Sequence, residues 1–176
     1  VQGAQEINLE KREDERGFFA RAFCSEQFAL HGITDNWSQA NISKTLLKGT
    51  LRGMHIQSKP NSESKYIRCL SGKIYDVIVD LRMDSATFKT WDCVELDSEL
   101  GNAIYAPSGT AHGIMALTDN AIAYYMVSAP YVKEAEICLN ALDEEIGIDW
   151  PLDVSYISEK DRKGLDLKDA SRIFNK

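Results

Sequence analysis

The stretch "KYIRCLSGKIYDVIVDLR" (65–82) decides the fold class, because it has the composition of two β-strands separated by a turn. Its β-branched and aromatic residues favour strands, and Ser71-Gly72 is the expected turn. Within residues 74–81, Ile74, Asp76, Ile78 and Asp80 alternate with Tyr75, Val77, Val79 and Leu81. This period of two is typical of a half-buried strand.

Similar short segments continue after this stretch, separated by Gly, Pro, Ser, Asp and Asn. They are "FKTWDCVELD" (88–97), "NAIYAP" (102–107), "GIMAL" (113–117) and "AIAYYMVSAPY" (121–131). This spacing predicts an all-β sandwich, jelly roll or barrel. Helical pattern is sparse: "SEQFALHG" (25–32) predicts one or two turns, with Ser25 as N-cap and Gly32 just past the end. The polar stretch 158–176 predicts short helices and loop folded over the surface.

Composition excludes several classes of protein. The 176 residues predict one domain over residues 1–176, and 44% hydrophobic with 27% charged residues fits a globular chain. No apolar run reaches about 18 residues, so we expect no membrane span, and residues 1–14 lack the features of a secretory signal. The net charge of −7 and the absence of a Lys/Arg block argue against nucleic-acid binding. An anionic ligand would need a local basic pocket.

The cysteines and histidines give no metal-binding pattern. Cys24, Cys69, Cys93 and Cys138 are far apart and form no CxxC pair, so reduced thiols in a cytoplasmic protein are the simpler interpretation. His31, His55 and His112 are isolated, and Gln57 occupies the second position of a would-be HxH pair. A three-histidine site built by folding stays open as an alternative, but we expect no metal and no cofactor.

Other catalytic signatures are missing. The segment "PSGTAHG" (107–113) contains a serine and a histidine but no GxSxG elbow, and a tight turn explains it better. Neither GxxxxGK[ST] nor GxGxxG occurs. Acid–base chemistry is what remains.

The segment "LRGMHIQ" (51–57) contains the best candidate for that chemistry. Taken alone, His55 in an apolar strand is more often a structural residue than a proton carrier. Arg52 and Lys65, however, are cations in strand-like segments, and an anionic ligand would satisfy both. Regular alternation puts Arg52 and His55 on opposite faces, but a bulge at Gly53 would turn both towards one cavity.

At this point the chain resembles a known family, the nucleotide-sugar 3,5-epimerases of the cupin superfamily typified by dTDP-4-dehydrorhamnose 3,5-epimerase. The segments that carry the resemblance occur in the family's order and span nearly the whole chain. They are "DERGFF" (14–19), "QANIS" (39–43), "GTLRGMHIQ" (49–57), "KYIRCLSGKIYDVIVDLRMDSATFKTW" (65–91), "YAPSGTAHGI" (105–114), "YMVSAPYVKEAE" (125–136), "LDEEIGIDWP" (142–151) and "SEKD" (158–161).

This resemblance implies an all-β cupin fold, a double-stranded β-helix (jelly roll) with short peripheral helices. It implies a homodimer whose N-terminal strands cross to the partner, and catalysis without a metal. The expected activity is that of an epimerase, an isomerase acting on a dTDP-4-keto-6-deoxyhexose in deoxysugar biosynthesis, such as that of rhamnose or lipopolysaccharide sugars. Inversion at C3, C5 or both proceeds by proton removal and return beside the 4-keto group.

The resemblance also implies roles for individual residues. His55 looks like the general base, and Asp143, seven residues after Glu136, looks like the carboxylate that orients and charges it. Tyr125, six residues before Tyr131, looks like the acid that returns a proton from the opposite face.

Lys65 looks like the cation that stabilises the enolate oxygen. The implied substrate ligands are Arg16, Phe19, Gln39, Asn41 and Arg52, with the arginines towards the diphosphate and Phe19 towards the base; His112 and Tyr131 match further lining positions.

Several positions depart from the family pattern. They are Ile56, the stretch "SKPNSES" (58–64), Ile114, Lys133 and Cys138. Because these changes leave the substrate open, two alternatives remain. One is a mono-epimerase, at C3 or C5 only, on another dTDP- or CDP-4-keto-deoxysugar. The other is a non-catalytic cupin that binds a sugar nucleotide.

Overall fold

The computed structural model describes residues 1–175, and short β-strands dominate it. The strands are Gln5–Ile7 (β1), Arg12–Asp14 (β2), Gly17–Phe19 (β3), Gln39–Thr45 (β4), Thr50–Gln57 (β5), Lys65–Ser71 (β6), Lys73–Asp80 (β7), Trp91–Asp97 (β8), Ala103–Ala106 (β9), Thr110–Ala116 (β10), Ala121–Val127 (β11), Glu136–Cys138 (β12) and Tyr156–Ile157 (β13). The strands predicted between residues 65 and 131 are therefore confirmed, with shifted ends. The tight turn predicted at 107–113 is shorter than expected, because β10 already begins at Thr110.

The helices are short: Ser25–Leu30 (α1), Glu159–Arg162 (α2) and Leu167–Phe174 (α3), with a 3₁₀ turn at Lys133–Ala135. The predicted Ser25 cap is wrong, because the helical bond from Phe28 N already goes to Cys24 O and makes Cys24 the N-cap. Gly32 follows the helix at a positive φ of 79°, as expected. None of the helices within residues 1–175 has the length and apolarity to cross a membrane.

The strands form two main sheets and a separate hairpin. One sheet has the order β1-β9-β6-β11-β4, and the other has the order β12-β5-β10-β7-β8, with β13 parallel to β5. The hairpin consists of β2 and β3 alone. Strands β6 and β7 belong to different sheets, so the turn at Gly72 (φ +73°) carries the chain from one sheet to the other. This two-sheet arrangement is the predicted jelly roll.

The second sheet is buried on both faces at β7, so the prediction of a half-buried strand over residues 74–81 is wrong. This burial explains the nearly continuous apolar run of β7. One face meets the first sheet, where Ile67 and Ile104 pack with Ile78 and Leu96. The other face packs against the C-terminal segment, including Phe174 of α3. Within the predicted stretch 158–176, the described residues 158–175 are only partly a surface element, because α3 contributes its apolar side to the core.

Candidate active site

A cavity of about 1080 Å³ opens between the two sheets and collects most of the predicted site residues. Its walls come from β4, β5, β6, β10 and β11, together with the segment around α2. The predicted residues that line it are Gln39, Asn41, Arg52, His55, Lys65, His112, Tyr125 and Tyr131.

The carboxylate that holds His55 is Asp161 and not Asp143. Nε2 of His55 lies 2.7 Å from Oδ1 of Asp161, whose side chain is only 6% exposed. Burial alone would raise the pKa of Asp161, but the hydrogen bond from His55 and the N–H of Gly53 outweigh it and lower the pKa to about 2. An ionised carboxylate can only accept, so Nε2 carries the proton and Nδ1 is the nitrogen able to receive another.

The first turn of α2 holds Asp161 in place. The backbone N–H of Asp161 donates to Oγ of Ser158, the N-cap of that helix, over 3.1 Å. Its second carboxylate oxygen accepts the N–H of Gly53 over 3.2 Å. Asp161 is therefore tied to both its own helix and strand β5, so the imidazole meets a rigid partner. The motif "SEKD" contained this residue, but its spacing from His55 gave no sign of the contact.

Asp143 has a structural role, and its prediction as the partner of His55 is wrong. Its Oδ2 accepts the N–H of Leu167, the first residue of α3, over 2.7 Å, and its Oδ1 accepts the N–H of Glu145 over 2.9 Å. Both bonds satisfy backbone donors at a turn and a helix start. The carboxylate is thus committed to the C-terminal packing and does not line the cavity.

A bulge in β5 brings Arg52 and His55 to the same cavity, as predicted. Opposite β10, the register of β5 shifts between the pairs Ile114–Arg52 and His112–His55, and Gly53 lies within the shift. Gly53 has φ +101°, and a Cβ there would lie 2.6 Å from O of His112. Only glycine fits this position without displacing the neighbouring strand.

Lys65 is buried in the cavity wall and already has two partners. Its Nζ lies 3.1 Å from Oε1 of Glu63 and donates to the backbone O of His55 over 3.1 Å. An ammonium group has three N–H donors, so one stays available for a ligand oxygen. Glu63 itself belongs to the departing stretch 58–64, and sequence reasoning assigned it no role.

The phenol of Tyr125 and the guanidinium of Arg52 line the same cavity. Burial raises the pKa of Tyr125, and the nearby charge of Arg52 offsets only part of the rise. The phenol is therefore protonated at neutral pH, as a proton donor must be. Arg52 donates through Nε to Oγ1 of Thr45 over 2.9 Å, which directs its charged end along the cavity wall.

A second histidine–carboxylate pair lies beside the first. Nε2 of His112 is 2.8 Å from Oδ2 of Asp76, and the carboxyl group of Asp76 is fully buried. His112 on β10 is the register partner of His55 on β5, so the two imidazoles come from adjacent strand positions. Sequence reasoning placed Asp76 on a strand face without a role; its polarity inside an otherwise apolar strand was the available signal.

The remaining predicted ligands are divided between the cavity and the outside of the chain. Gln39 accepts the N–H of Tyr131 over 2.8 Å, and the hydroxyl of Tyr131 donates to Glu136 over 3.1 Å at the cavity mouth. Arg16 and Phe19 do not reach the cavity of their own chain. They lie on the separate β2–β3 hairpin, where the side chain of Arg16 is 89% exposed and pairs with Asp14.

The cavity is more basic than the chain as a whole. Its charged lining consists of four cations, Lys44, Arg52, Lys65 and Lys160, and three anions, Glu63, Glu136 and Asp161, so 4 − 3 gives +1. The whole chain carries −7. This local excess is the basic pocket that an anionic ligand requires in an acidic protein.

Four of the departures from the family pattern reach this site. Ile56, Glu63 of the stretch 58–64 and Ile114 line the cavity, and Cys138 on β12 is the register partner of His55. Sγ of Cys138 lies 3.6 Å from Oδ1 of Asp161. Burial, followed by repulsion from the Asp161 carboxylate, raises the pKa of the Cys138 thiol to about 12.

Comparison with known proteins gives one consistent family. The sequence profile of dTDP-4-dehydrorhamnose 3,5-epimerase matches residues 1–169. A dTDP-4-dehydrorhamnose 3,5-epimerase of Mycobacterium tuberculosis is 40% identical over 153 residues, which cover 86% of this chain and 75% of the relative. A dTDP-4-dehydrorhamnose 3-epimerase of Streptomyces niveus is 35% identical over 171 residues, covering 97% of this chain and 82% of the relative.

A solved structure shares the fold. The dTDP-6-deoxy-D-glucose-3,5-epimerase of Legionella pneumophila, in complex with dTDP-4-keto-L-rhamnose, superposes with a TM-score of 0.89 at 36% identity. The match covers 96% of this chain and 89% of that one.

Proposed function

The chain belongs to the dTDP-4-dehydrorhamnose 3,5-epimerase family, and on that premise we propose that it is an isomerase that inverts C3, C5 or both in a dTDP-4-keto-6-deoxyhexose. The observation that carries the proposal is the His55–Asp161 pair, set in one cavity with Lys65 and Tyr125. The complex of the Legionella relative with dTDP-4-keto-L-rhamnose supports this class of substrate.

The chemistry follows from the acidity of a C–H bond beside a ketone. Nδ1 of His55 takes the proton, and Asp161 stabilises the imidazolium that forms because its carboxylate is ionised and hydrogen-bonded to Nε2. The free N–H of Lys65 donates to the ketone oxygen, where negative charge develops as the enolate forms. The protonated phenol of Tyr125 returns a proton to the opposite face of the carbon, which inverts it.

A second set of residues would bind the nucleotide part of the substrate. Arg52 and the basic excess of the cavity favour the diphosphate, while Gln39, Asn41 and Tyr131 line the adjoining wall. His112, held by Asp76, lines the part of the cavity beside His55, where the sugar would bind. Arg16 and Phe19 join a site only if the hairpin of one chain reaches the cavity of another.

We therefore include a homodimer in the proposal. Two exposed apolar surfaces support it: Phe18 and Phe19 on the hairpin are 53% and 65% exposed, and Ile42 on β4 is 69% exposed. An exchanged hairpin would deliver Arg16 to the diphosphate and Phe19 to the base of the nucleotide.

The four cysteines are free thiols, which supports a reducing, cytoplasmic location. There the reaction would be a metal-independent step of deoxysugar biosynthesis, such as that of lipopolysaccharide sugars.

The test is proton NMR of dTDP-4-keto-6-deoxyglucose in D₂O with the purified protein. Deuterium at both C3 and C5 supports double epimerisation, and deuterium at one carbon supports the mono-epimerase suggested by the Streptomyces niveus relative. Exchange only with a CDP-linked 4-keto sugar would show that the substrate carries CDP and not dTDP. Tight binding of sugar nucleotides without exchange would show that the protein binds them without catalysing epimerisation, and would refute the proposal.

A further inference from the structure

Cys138 adds a third metal-ligand type to the catalytic pair. The ligand atoms of His55, Cys138 and Asp161 all lie within 4.8 Å of one another, the one such group of three within residues 1–175. Strand β12 places Cys138 directly opposite His55 on β5, and helix α2 brings Asp161 between them. The catalytic scheme uses His55 and Asp161 but gives the thiol no task.

We propose that His55, Cys138 and Asp161 form a binding site for a thiophilic divalent cation of the Zn²⁺ class, and that occupancy of this site inhibits the enzyme. The inhibition rests on the proposed function, whereas the metal binding does not. Imidazole nitrogen, thiolate sulfur and carboxylate oxygen are the three ligand types that zinc takes in proteins.

The separation of Cys138 from Asp161 fits a tetrahedral ion. With bonds of about 2.3 Å to sulfur and about 2.0 Å to oxygen, tetrahedral zinc holds the two ligand atoms about 3.5 Å apart. Sγ of Cys138 is already 3.6 Å from Oδ1 of Asp161. The nitrogen–oxygen separation would be about 3.3 Å, so the 2.7 Å His55–Asp161 hydrogen bond must open by about 0.6 Å. A rotation of the partly exposed imidazole can supply that movement, while the buried Asp161 stays in place.

Charge and access also suit a cation. A thiolate and a carboxylate balance the two positive charges of the ion. Lys160, the residue before Asp161, is engaged by Glu136 at 2.6 Å. The side chain of His55 is 33% exposed towards the cavity, which leaves an open path for entry and a fourth position for water.

Binding would stop proton transfer by a defined exchange of protons. The ion replaces the thiol proton of Cys138, which is released to solvent, and forms bonds to Sγ, Oδ1 and Nε2. A neutral imidazole bound through Nε2 carries its proton on Nδ1. Nδ1 is the nitrogen that receives the substrate proton, so the metal-bound protein has no base there.

The first experiment measures binding without substrate. Purified protein is titrated with Cd²⁺, and the thiolate-to-metal charge-transfer band in the ultraviolet is followed. We expect one equivalent in the wild type and in the matched control Cys24→Ser, whose thiol lies at the start of α1, far along the chain from the dyad. Cys138→Ser and Cys138→Ala should lose the band and bind about tenfold or more weakly. An unchanged band in both Cys138 variants, cadmium bound through other thiols only, or no binding would overturn the site.

The second experiment measures inhibition. Zn²⁺ should suppress deuterium exchange in the wild type and Cys24→Ser, and EDTA should restore it. In the Cys138 variants, each compared with its own rate without metal, the inhibition constant should rise about tenfold or more. Thermal unfolding of each variant verifies that it is folded. Cys138-dependent cadmium binding without exchange activity would refute the proposed function alone, whereas activity with no Cys138-dependent binding would refute the metal site alone.

Discussion

Replacing Asp161 by Asn is the sharpest test of the active-site geometry. The substitution keeps the shape of the side chain and removes the negative charge 2.7 Å from Nε2 of His55. When His55 takes the substrate proton, the imidazolium then loses a charge-assisted hydrogen bond worth about 1.5–3 kcal/mol. Since about 1.4 kcal/mol corresponds to a factor of ten in rate, kcat should fall about 10- to 150-fold.

The matched control is Asp143→Asn, because the family resemblance implied Asp143 as the partner of His55. Its carboxylate accepts the N–H groups of Leu167 and Glu145, and an amide oxygen can keep one of these bonds. We expect a loss of about 1 kcal/mol in the free energy of unfolding, and exchange within about threefold of the wild type.

The assay is the initial rate of solvent deuterium incorporation at C3 and C5 of dTDP-4-keto-6-deoxyglucose, measured by NMR at saturating substrate. Circular dichroism and thermal unfolding establish that both variants are folded, since Asp161 also accepts the N–H of Gly53. A rate for Asp161→Asn within twofold of the wild type would refute the dyad. So would an equal loss in Asp143→Asn at full stability.

Three further substitutions test other contacts of the structure. Tyr125→Phe should keep deuterium exchange at the carbon that His55 deprotonates but lower the yield of inverted sugar about 10²-fold or more, because the donor on the opposite face is lost; NMR of the product stereochemistry checks it, and unchanged inversion would exclude Tyr125 as the acid. Lys65→Met should lower kcat about 10²–10³-fold, because the developing enolate loses its cation; steady-state kinetics with an unchanged kcat and only a raised KM would contradict this. Burial alone would raise the pKa of Asp80, but bonds from Arg82, Ser85 and Thr87 lower it to about 2, so about 2 kcal/mol of stability present above pH about 4 should be lost as the pH falls towards 2. Urea unfolding across that range should show a weaker pH dependence in Asp80→Asn, and an equal dependence would contradict the assignment.

The fold and one member of the His55–Asp161 pair were predictable from the sequence and the resemblance it carries. Short segments with period-two alternation indicate strands wherever they occur, and the turn at Gly72 was visible as punctuation. The bulge could be predicted because the residue that follows Arg52 is Gly53, and glycine tolerates the backbone conformation of a bulge. The register shift confirmed it. The assignment of residues 1–176 to one domain stays a prediction.

The partner of His55 was not predictable from spacing, because 106 positions separate it from Asp161. Several acidic residues follow Glu136, and any of them could return to the cavity as far as the sequence shows. Asp161 is the partner because α2 packs against β5, whereas the carboxylate of Asp143 accepts a backbone N–H at the start of α3. Asp76 was missed for the same reason, because its partner His112 lies on another strand. Glu63 lies only two positions before its partner Lys65, but it precedes strand β6, where strand periodicity gives no side-chain direction.

The sequence by itself determined the all-β fold, because side-chain periodicity and local glycine conformation act over a few residues. The resemblance of its segments to a known family, and not their periodicity, pointed to the family and to His55 as the proposed proton carrier. Only the tertiary structure decided which carboxylate charges that histidine and that a thiol lies 3.6 Å from the same carboxylate. It also set Arg16 and Phe19 outside the cavity of their own chain, on a hairpin that pairs only with itself. Such contacts join residues far apart in the chain, and packing between separate elements sets them.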